Sequence, residues 1–385
     1  MQNDLIVRRM RLKEEMHKSG VEACILTSGI NLFYLTGVVY TGFLYFPSEG
    51  EPIHFVKKPN DIPLDNVVPV RKPEVMADEL QNRGIRLPES ILIETDILSY
   101  SSVLRIISTL KAKEIKNASV LMRRLRMIKT PFEIEQTRLN AQIHKKIYEI
   151  VPALYRKGMT DIEFQIEIEY QMRKMGSIGV FFSYGENMNI HMGSLLSGDN
   201  AGASSPFDFA LGGNGITPLL PLGANGSVIE DGHTVMIDMA GNFLPWMTDI
   251  TRVYSVGQIS ELAYRAHQVS IEIHQAVADK ARSGVACSEL YEQAYNMVKK
   301  SNLTDYFMGI RQQSKFVGHG VGLEINEPPV LALQSKEVLE AGMIIAVEPK
   351  FVIPGTGAVG IENTYLITDN RSENLTIVNE KIVAL

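Results

Sequence analysis

The sequence predicts two domains: an α/β domain over residues 1–124, then an α+β domain over residues 125–385 made of two similar halves. Three observations predict this. The first third alternates helical and strand-like segments, the pattern of a mixed sheet covered by helices. The basic stretch RRLRMIK then leads into Thr130-Pro-Phe-Glu, a capping box with proline at the first helical position, which opens a new helix. Beyond it, a pair of helical stretches followed by a pair of strands occurs twice.

In the first domain, residues 4–19 have helical character, and EACILTS (22–28), GFLYFPS (42–48) and SILIETD (90–96) have strand character. Helical stretches near 74–84 and 99–113 lie between them. In the second domain, helices over 131–157 and 161–175 precede strands carrying TVMIDMAG (234–241) and MTDITRVY (247–254). Ile143, Ile147, Ile150 and Leu154 repeat at helical spacing in the first of these, and Pro152 sits near its end. Helices over 261–283 and 288–301, each entered through a serine suited to an N-cap, precede GMIIAVEP (342–349) and AVGIENTYLIT (358–368). The segment 193–227 is rich in Gly, Ser, Asn and Pro and has no period. It also carries Phe207, Phe209, Leu211, Leu219 and Leu220, which a plain linker does not need. It is expected to be a long ordered loop beside the active site or at a subunit contact.

Composition narrows the function classes. With 45% apolar residues, 21% charged residues and a net charge of −6, the chain has the make-up of a soluble globular protein. That net charge gives no electrostatic reason to expect nucleic acid or an anionic membrane as a partner. No apolar run approaches the roughly 20 residues that span a bilayer. The two cysteines, Cys24 and Cys287, have no CxxC spacing, so neither a disulfide framework nor a zinc-thiolate site is expected. The N-terminus is a charged amphipathic helix without a signal-peptide core, so a cytoplasmic protein is expected.

The chemistry lies in the C-terminal strands. Asp238 and Asp249 flank a turn centred near residues 242–244 and are expected to face each other across a hairpin. Glu348 and Glu362 flank PGTG (354–357) and come out opposed to within one residue. A single acid on a strand is usually a turn or edge residue. Two acidic cross-strand pairs in aliphatic strands are costly unless something compensates them. A pair of divalent cations would balance four carboxylates. His319 would add a nitrogen; it lies between two glycines in VGHGVGLEINEPP (317–329), where the missing side chains let another group come close. Oxygen-rich sites with one nitrogen favour Mn²⁺, Co²⁺ or Fe²⁺, with Zn²⁺ possible, and two such ions can share and activate a water. His267 and His274, seven residues apart on a helix without a third partner, are expected to serve packing or the surface.

The order Asp238, Asp249, His319, Glu348, Glu362, in VMIDMAG, TDITRVY, VGHGVGL, AVEP and GIENT, resembles the ligand pattern of the pita-bread (M24) metallopeptidases. The likeness covers residues 130–385 and is nearest the prolidase and aminopeptidase P branch; the N-terminal third resembles the creatinase-type N-terminal domain. It implies a curved, mainly antiparallel sheet, two metal ions per chain and hydrolysis of Xaa-Pro bonds in dipeptides or short peptides. It also implies a homodimer. Asp249 and Glu362 would bridge the ions, Asp238 would complete one, and His319 and Glu348 the other. Glu348 would also carry the proton, and His191, in SYGENMNIHMG, would stabilise the tetrahedral intermediate. Three positions depart from that branch or flank the site: Asn326 replaces a histidine, Gly360 an arginine, and Trp246 lies beside Asp249. These three are the candidate substrate contacts. Lys350 and Val352 also stand where the branch has Gly and Tyr. The departures leave open a small non-peptide amide or metabolite as substrate, and, with less support, a non-catalytic binding protein of this fold.

Overall fold

The computed structural model describes residues 2–185 and 191–385. The chain forms two compact units, one ending at Arg126 and the other running Met127–Leu385. The first contains α1 (Gln2–Ser19), β1 (Ala23–Leu26), α2 (Gly29–Thr36), β2 (Thr41–Pro47), β3 (Ile53–Lys58) and β4 (Val67–Pro69). Then come α3 (Glu74–Asn82), β5 (Ser90–Ile93), α4 (Tyr100–Leu110), β6 (Glu114–Asn117) and α5 (Ala118–Met127). Its mixed sheet has the order β4-β3-β2-β1-β5-β6. The buried Glu94 carboxylate ties β5 to the start of α2, accepting from Thr27 N at 2.6 Å, Ser28 N at 2.9 Å and Asn31 Nδ2 at 2.8 Å.

The second unit begins with α6 (Pro131–Ile150), set by the Thr130 capping box: Glu133 N donates to Thr130 Oγ1 and Thr130 N to the Glu133 carboxylate. The helix stops short of the expected residue 157. Pro152 has no N–H to continue the ladder, and Val151–Ala153 tightens into a 3₁₀ turn. After α7 (Asp161–Lys174) come β7 (Gly193–Ser197), β8 (Thr234–Gly241) and β9 (Thr248–Ser255). Next are α8 (Glu261–Lys280), α9 (Cys287–Lys300), β10 (Phe316–Gly320), β11 (Glu327–Ala332) and β12 (Ile344–Val347). The chain closes with β13 (Lys350–Ile353), β14 (Gly357–Gly360), β15 (Asn363–Ile367), β16 (Ser372–Asn374) and β17 (Val383–Ala384).

Helix pair followed by antiparallel strands thus occurs twice. One sheet has the order β17-β9-β8-β7, the other β11-β10-β12-β15-β16, and β13-β14 form a separate hairpin. A bridge between Thr251 and Glu362 joins the two larger sheets. Apolar faces close behind them: Ile147, Phe164, Leu195 and Ile237 form one cluster, while Ala266, Ile273, Ile345 and Phe351 belong to another. The polar faces are left to converge.

Three expectations need correction. Residues 193–197 are not loop but an edge strand, with Ser194 opposite Asp238, and the rest of 193–227 is held by defined bonds. Asn225 N and Gly226 N, for example, each donate to Asp161 at 2.8 Å. The N-cap of α9 is Ala286, not a serine, and makes no side-chain cap. Its first free N–H, that of Cys287, goes instead to Glu337 O at 3.0 Å, so a capping hydroxyl is not needed there. The β8–β9 register pairs Asp238 with Thr251 and Asp249 with Ala240, so the two aspartates are diagonal rather than opposed. They still share a face, because positions two apart on a strand point the same way.

Candidate metal centre

Each sheet contributes part of one acidic floor. The β8–β9 ladder supplies Asp238 and Asp249. Glu348 and Glu362 lie between two registers, Val347 opposite Asn363 and Lys350 opposite Gly360, which set them across from each other as the sequence implied. His319 comes from β10, next to β12. The ligating atoms gather into two groups that share Glu362: Asp249–His319–Glu362 and Asp238–Glu348–Glu362, each with its atoms within 4.8 Å of one another. All five expected ligands therefore converge. His319 Nε2 lies 3.4 Å from Glu348 Oε1 and 3.9 Å from both Asp249 Oδ2 and Glu362 Oε1. Its other nitrogen, Nδ1, lies 3.1 Å from Gly320 O; a carbonyl only accepts, so Nδ1 carries a hydrogen, and Nε2 is the nitrogen that faces the acids.

The glycines beside His319 have a different reason than expected. A Cβ on Gly318 would overlap the Ala346 carbonyl oxygen, and one on Gly320 the Pro328 carbonyl oxygen. Neighbouring strands, not a ligand, press against that backbone, and this fixes the imidazole over the floor.

A network behind the floor holds it in place. Thr251 Oγ1 donates to Glu362 Oε2 at 2.7 Å. The buried Arg252 guanidinium donates to Thr251 O and Glu362 O, both at 2.8 Å, and to Asn363 Oδ1 at 2.7 Å, stitching β9 to β15. His274, fully buried in α8, lies 2.8 Å from Ile361 O and 3.1 Å from the Tyr365 hydroxyl. His267 accepts from Gly360 N at 3.2 Å. Both helical histidines thus have packing roles, as expected.

The sequence marks Lys350 only as a departure from the branch, not as a member of the acidic cluster. Its ammonium, fully buried, donates to Glu348 Oε2 at 2.6 Å, Asp238 Oδ2 at 2.8 Å and Glu362 Oε2 at 3.1 Å. The signal was present: Lys350 is two residues from Glu348 on extended backbone, and therefore on the same face.

The acids are driven apart in strength. Burial, then the charge of Glu348, pushes the Glu362 carboxyl up to about 8. Burial and the charges of Glu362, Asp238 and Glu348 raise Asp249 well above the usual carboxylate range. Burial opposes ionised Glu348 too, but Lys350 and His319 outweigh it and bring that carboxyl down to about 2. For His319, burial disfavours the imidazolium, yet the hydrogen bond and charge of Glu348 carry it up to about 9. Groups with such opposed shifts at one place are the mark of a working site.

Whether a cation fits can be judged from the donors. Glu362 Oε1 is buried, has no hydrogen-bond partner among the described residues and faces His319. An orphaned carboxylate oxygen is expensive to bury, and a divalent ion among Asp249, His319 and Glu362 would satisfy it. That group fits an ion. The oxygens of the second group already meet the Lys350 ammonium.

Above the floor lies a cavity of about 300 Å³, walled by Phe181, Phe209, Phe316 and Ile325 and reached by Asp238, Asp249, His319, Glu348 and Glu362. Asn326 also lines it. Its side chain clamps a neighbouring loop, donating to Tyr184 O at 2.5 Å and accepting from Tyr184 N at 2.7 Å. The other candidate contacts lie elsewhere. Trp246 is buried with its ring edge-on to Phe132, centroids 5.6 Å apart, and does not line the cavity. Gly360 is a packing residue: its φ of +130° suits glycine, and a Cβ would run into Pro349 O and Lys350 Cα. His191 is exposed and sits two residues before Gly193, which lines the cavity. Of the motif SYGENMNIHMG around it, residues 186–190 lie outside the described residues. Part of the 193–227 segment, including Asp208, Phe209 and Ala210, forms the cavity's rim.

Comparison with known proteins agrees with this geometry. Residues 8–128 match the Creatinase/Prolidase N-terminal domain and residues 135–369 match Metallopeptidase family M24. A Xaa-Pro dipeptidase from Pyrococcus furiosus is 27% identical over 386 positions, spanning 98% of this chain and 99% of its own. The structure of a Xaa-Pro dipeptidase from Bacillus anthracis superposes with a TM-score of 0.80 at 25% identity, covering 99% of this chain and 100% of that one. The prolidase from Pyrococcus furiosus superposes with a TM-score of 0.75 at 26% identity, covering 95% and 99%. With the family's profile matched over most of its length and the acids and imidazole gathered on one floor, this chain belongs to metallopeptidase family M24, carrying a creatinase/prolidase-type N-terminal domain.

Proposed function

We propose that this metallopeptidase hydrolyses the bond preceding proline in Xaa-Pro dipeptides or short peptides. The observation that carries the reading is the convergence of Asp238, Asp249, His319, Glu348 and Glu362 beneath a cavity with aromatic and aliphatic walls. Relatives matched from end to end bear that activity in their names. The walls suit the compact apolar ring of proline.

A divalent ion supplies Lewis acidity towards the scissile carbonyl and lowers the pKa of water. Asp249, His319 and Glu362 are the residues to hold it. Two cation positions share Glu362; Mn²⁺ or Co²⁺ suits the donor set best, with Zn²⁺ or Fe²⁺ as alternatives. Glu348, ionised at neutral pH, takes the proton lost by the attacking water and returns it to the leaving nitrogen. His191 donates to the carbonyl oxygen as negative charge develops there. Asn326 shapes the wall through its hold on Tyr184. Residues 1–124 serve as the creatinase-type domain and 125–385 as the catalytic domain. The working form is a cytoplasmic homodimer, with the 193–227 segment bordering the substrate.

The test is turnover of Xaa-Pro dipeptides, longer Xaa-Pro peptides and Xaa-Ala controls after loading with Mn²⁺ or Co²⁺. Hydrolysis confined to the proline series is expected; folded, loaded protein that cleaves none of them overturns the reading. One observation favours a second reading. Among the described residues lining the cavity there is no lysine or arginine to receive a peptide carboxylate. A small neutral amide would need none, and acylamino compounds in the same screen would reveal it.

A further inference from the structure

Lys350 opens β13, a strand in which all four residues are buried. Its backbone is pinned on both sides: Met308 N donates to Lys350 O at 2.8 Å, and Lys350 N lies 3.3 Å from the Met308 sulfur. A lysine is taken out of water only where something compensates it. Here the compensation is complete, since the ammonium has three hydrogens and meets three carboxylate oxygens, on Glu348, Asp238 and Glu362. Those are the acids of the second ligand group. The first group, Asp249–His319–Glu362, meets the lysine only through Glu362 Oε2, and its Glu362 Oε1 has no hydrogen-bond partner among the described residues.

We infer that Lys350 is a built-in cation: its ammonium takes the Asp238–Glu348–Glu362 position in place of a divalent ion, so that this centre holds one metal per chain. The inference rests on the metallohydrolase reading of the site. Repulsion supports it: a second divalent ion at that position would set its charge beside the ammonium against the same Asp238, Glu348 and Glu362 oxygens. Lys350 is also a positioning residue. It binds one oxygen of Glu348 and leaves the other facing His319, so a fixed organic cation orients the proton carrier where a second ion would otherwise do so.

The experiment counts metal in the full-length protein. Wild type and Lys350→Met are stripped with chelator, loaded with excess Mn²⁺, desalted and assayed by elemental analysis and native mass spectrometry. One ion per chain in wild type and two in the variant is the expected result. Two ions in wild type, or no gain in the variant, overturns the inference. A wild type that binds none while the variant gains one leaves the lysine's role standing and removes the metallohydrolase reading instead. One ion in each refutes the lysine's role and leaves that reading intact. Should Lys350→Met fail to fold, Lys350→Gln replaces it under the same criteria, and two ions in wild type defeat the inference whatever the variant does.

Discussion

Thr251 and Glu362 join the two sheets of the catalytic unit twice over: Glu362 N donates to Thr251 O at 3.2 Å, and Thr251 Oγ1 donates to Glu362 Oε2 at 2.7 Å. The second bond fixes the carboxylate shared by both ligand groups. Thr251→Val keeps the shape of the strand and removes only that donor. Metal affinity should fall by about 10–100-fold, the usual consequence of losing a partner that orients a ligand. Calorimetric titration with Mn²⁺ checks it, and unchanged affinity would show that Glu362 is oriented by other contacts.

Glu348 meets both Lys350 and His319, and its carboxyl is the one driven down to about 2. Glu348→Gln preserves size and loses the base. kcat on a Xaa-Pro dipeptide should drop by about 10²–10⁴-fold, the span typical of general acid–base groups. Circular dichroism would confirm that the fold persists; retention of most activity would place the proton on another group.

Stability of the metal-free protein should fall on the alkaline side. Glu362 at about 8 and His319 at about 9 are both raised above their ordinary values. The folded chain therefore holds protons that the unfolded chain has released. Their contribution is present in full below the unfolded pKa of each group and is lost as pH rises through about 8 and then about 9. Thermal melts of chelated protein from pH 6.5 to 9.5 should show a declining Tm. Added Mn²⁺ should remove most of that decline, because a bound cation takes over from the protons. A chelated Tm that rises across this range contradicts the assignment.

Gly360→Ala tests the packing role now given to that position. The new Cβ meets backbone atoms that cannot swing away, at a φ of +130°. The loss should be about 1–3 kcal/mol, the cost of one strained backbone site, measured by urea unfolding. A neutral result would return Gly360 to the substrate side.

Much of the site was legible because strand periodicity and ligand order are local. The β8–β9 register was not. The connection runs from Gly241 to Thr248, and its path is set by Asn140 of α6, whose side-chain oxygen accepts from Phe243 N and Leu244 N, both at 3.1 Å. No reading of the turn residues alone reveals a partner a hundred positions away. Trp246 and Gly360 stood near ligands in sequence, but tertiary packing turned them towards Phe132 and Pro349. Lys350 was visible as an oddity, and its face followed from the spacing to Glu348. Its meaning was missed because a search for cation ligands passes over a cation supplied by the chain itself.

Crystals grown with Mn²⁺, with anomalous data collected at the manganese edge, test the central claim most directly. One peak per chain is expected, enclosed by Asp249, His319 and Glu362, with the Lys350 ammonium still on Asp238 and Glu348. A peak elsewhere, or none at that position in fully loaded protein, would contradict it.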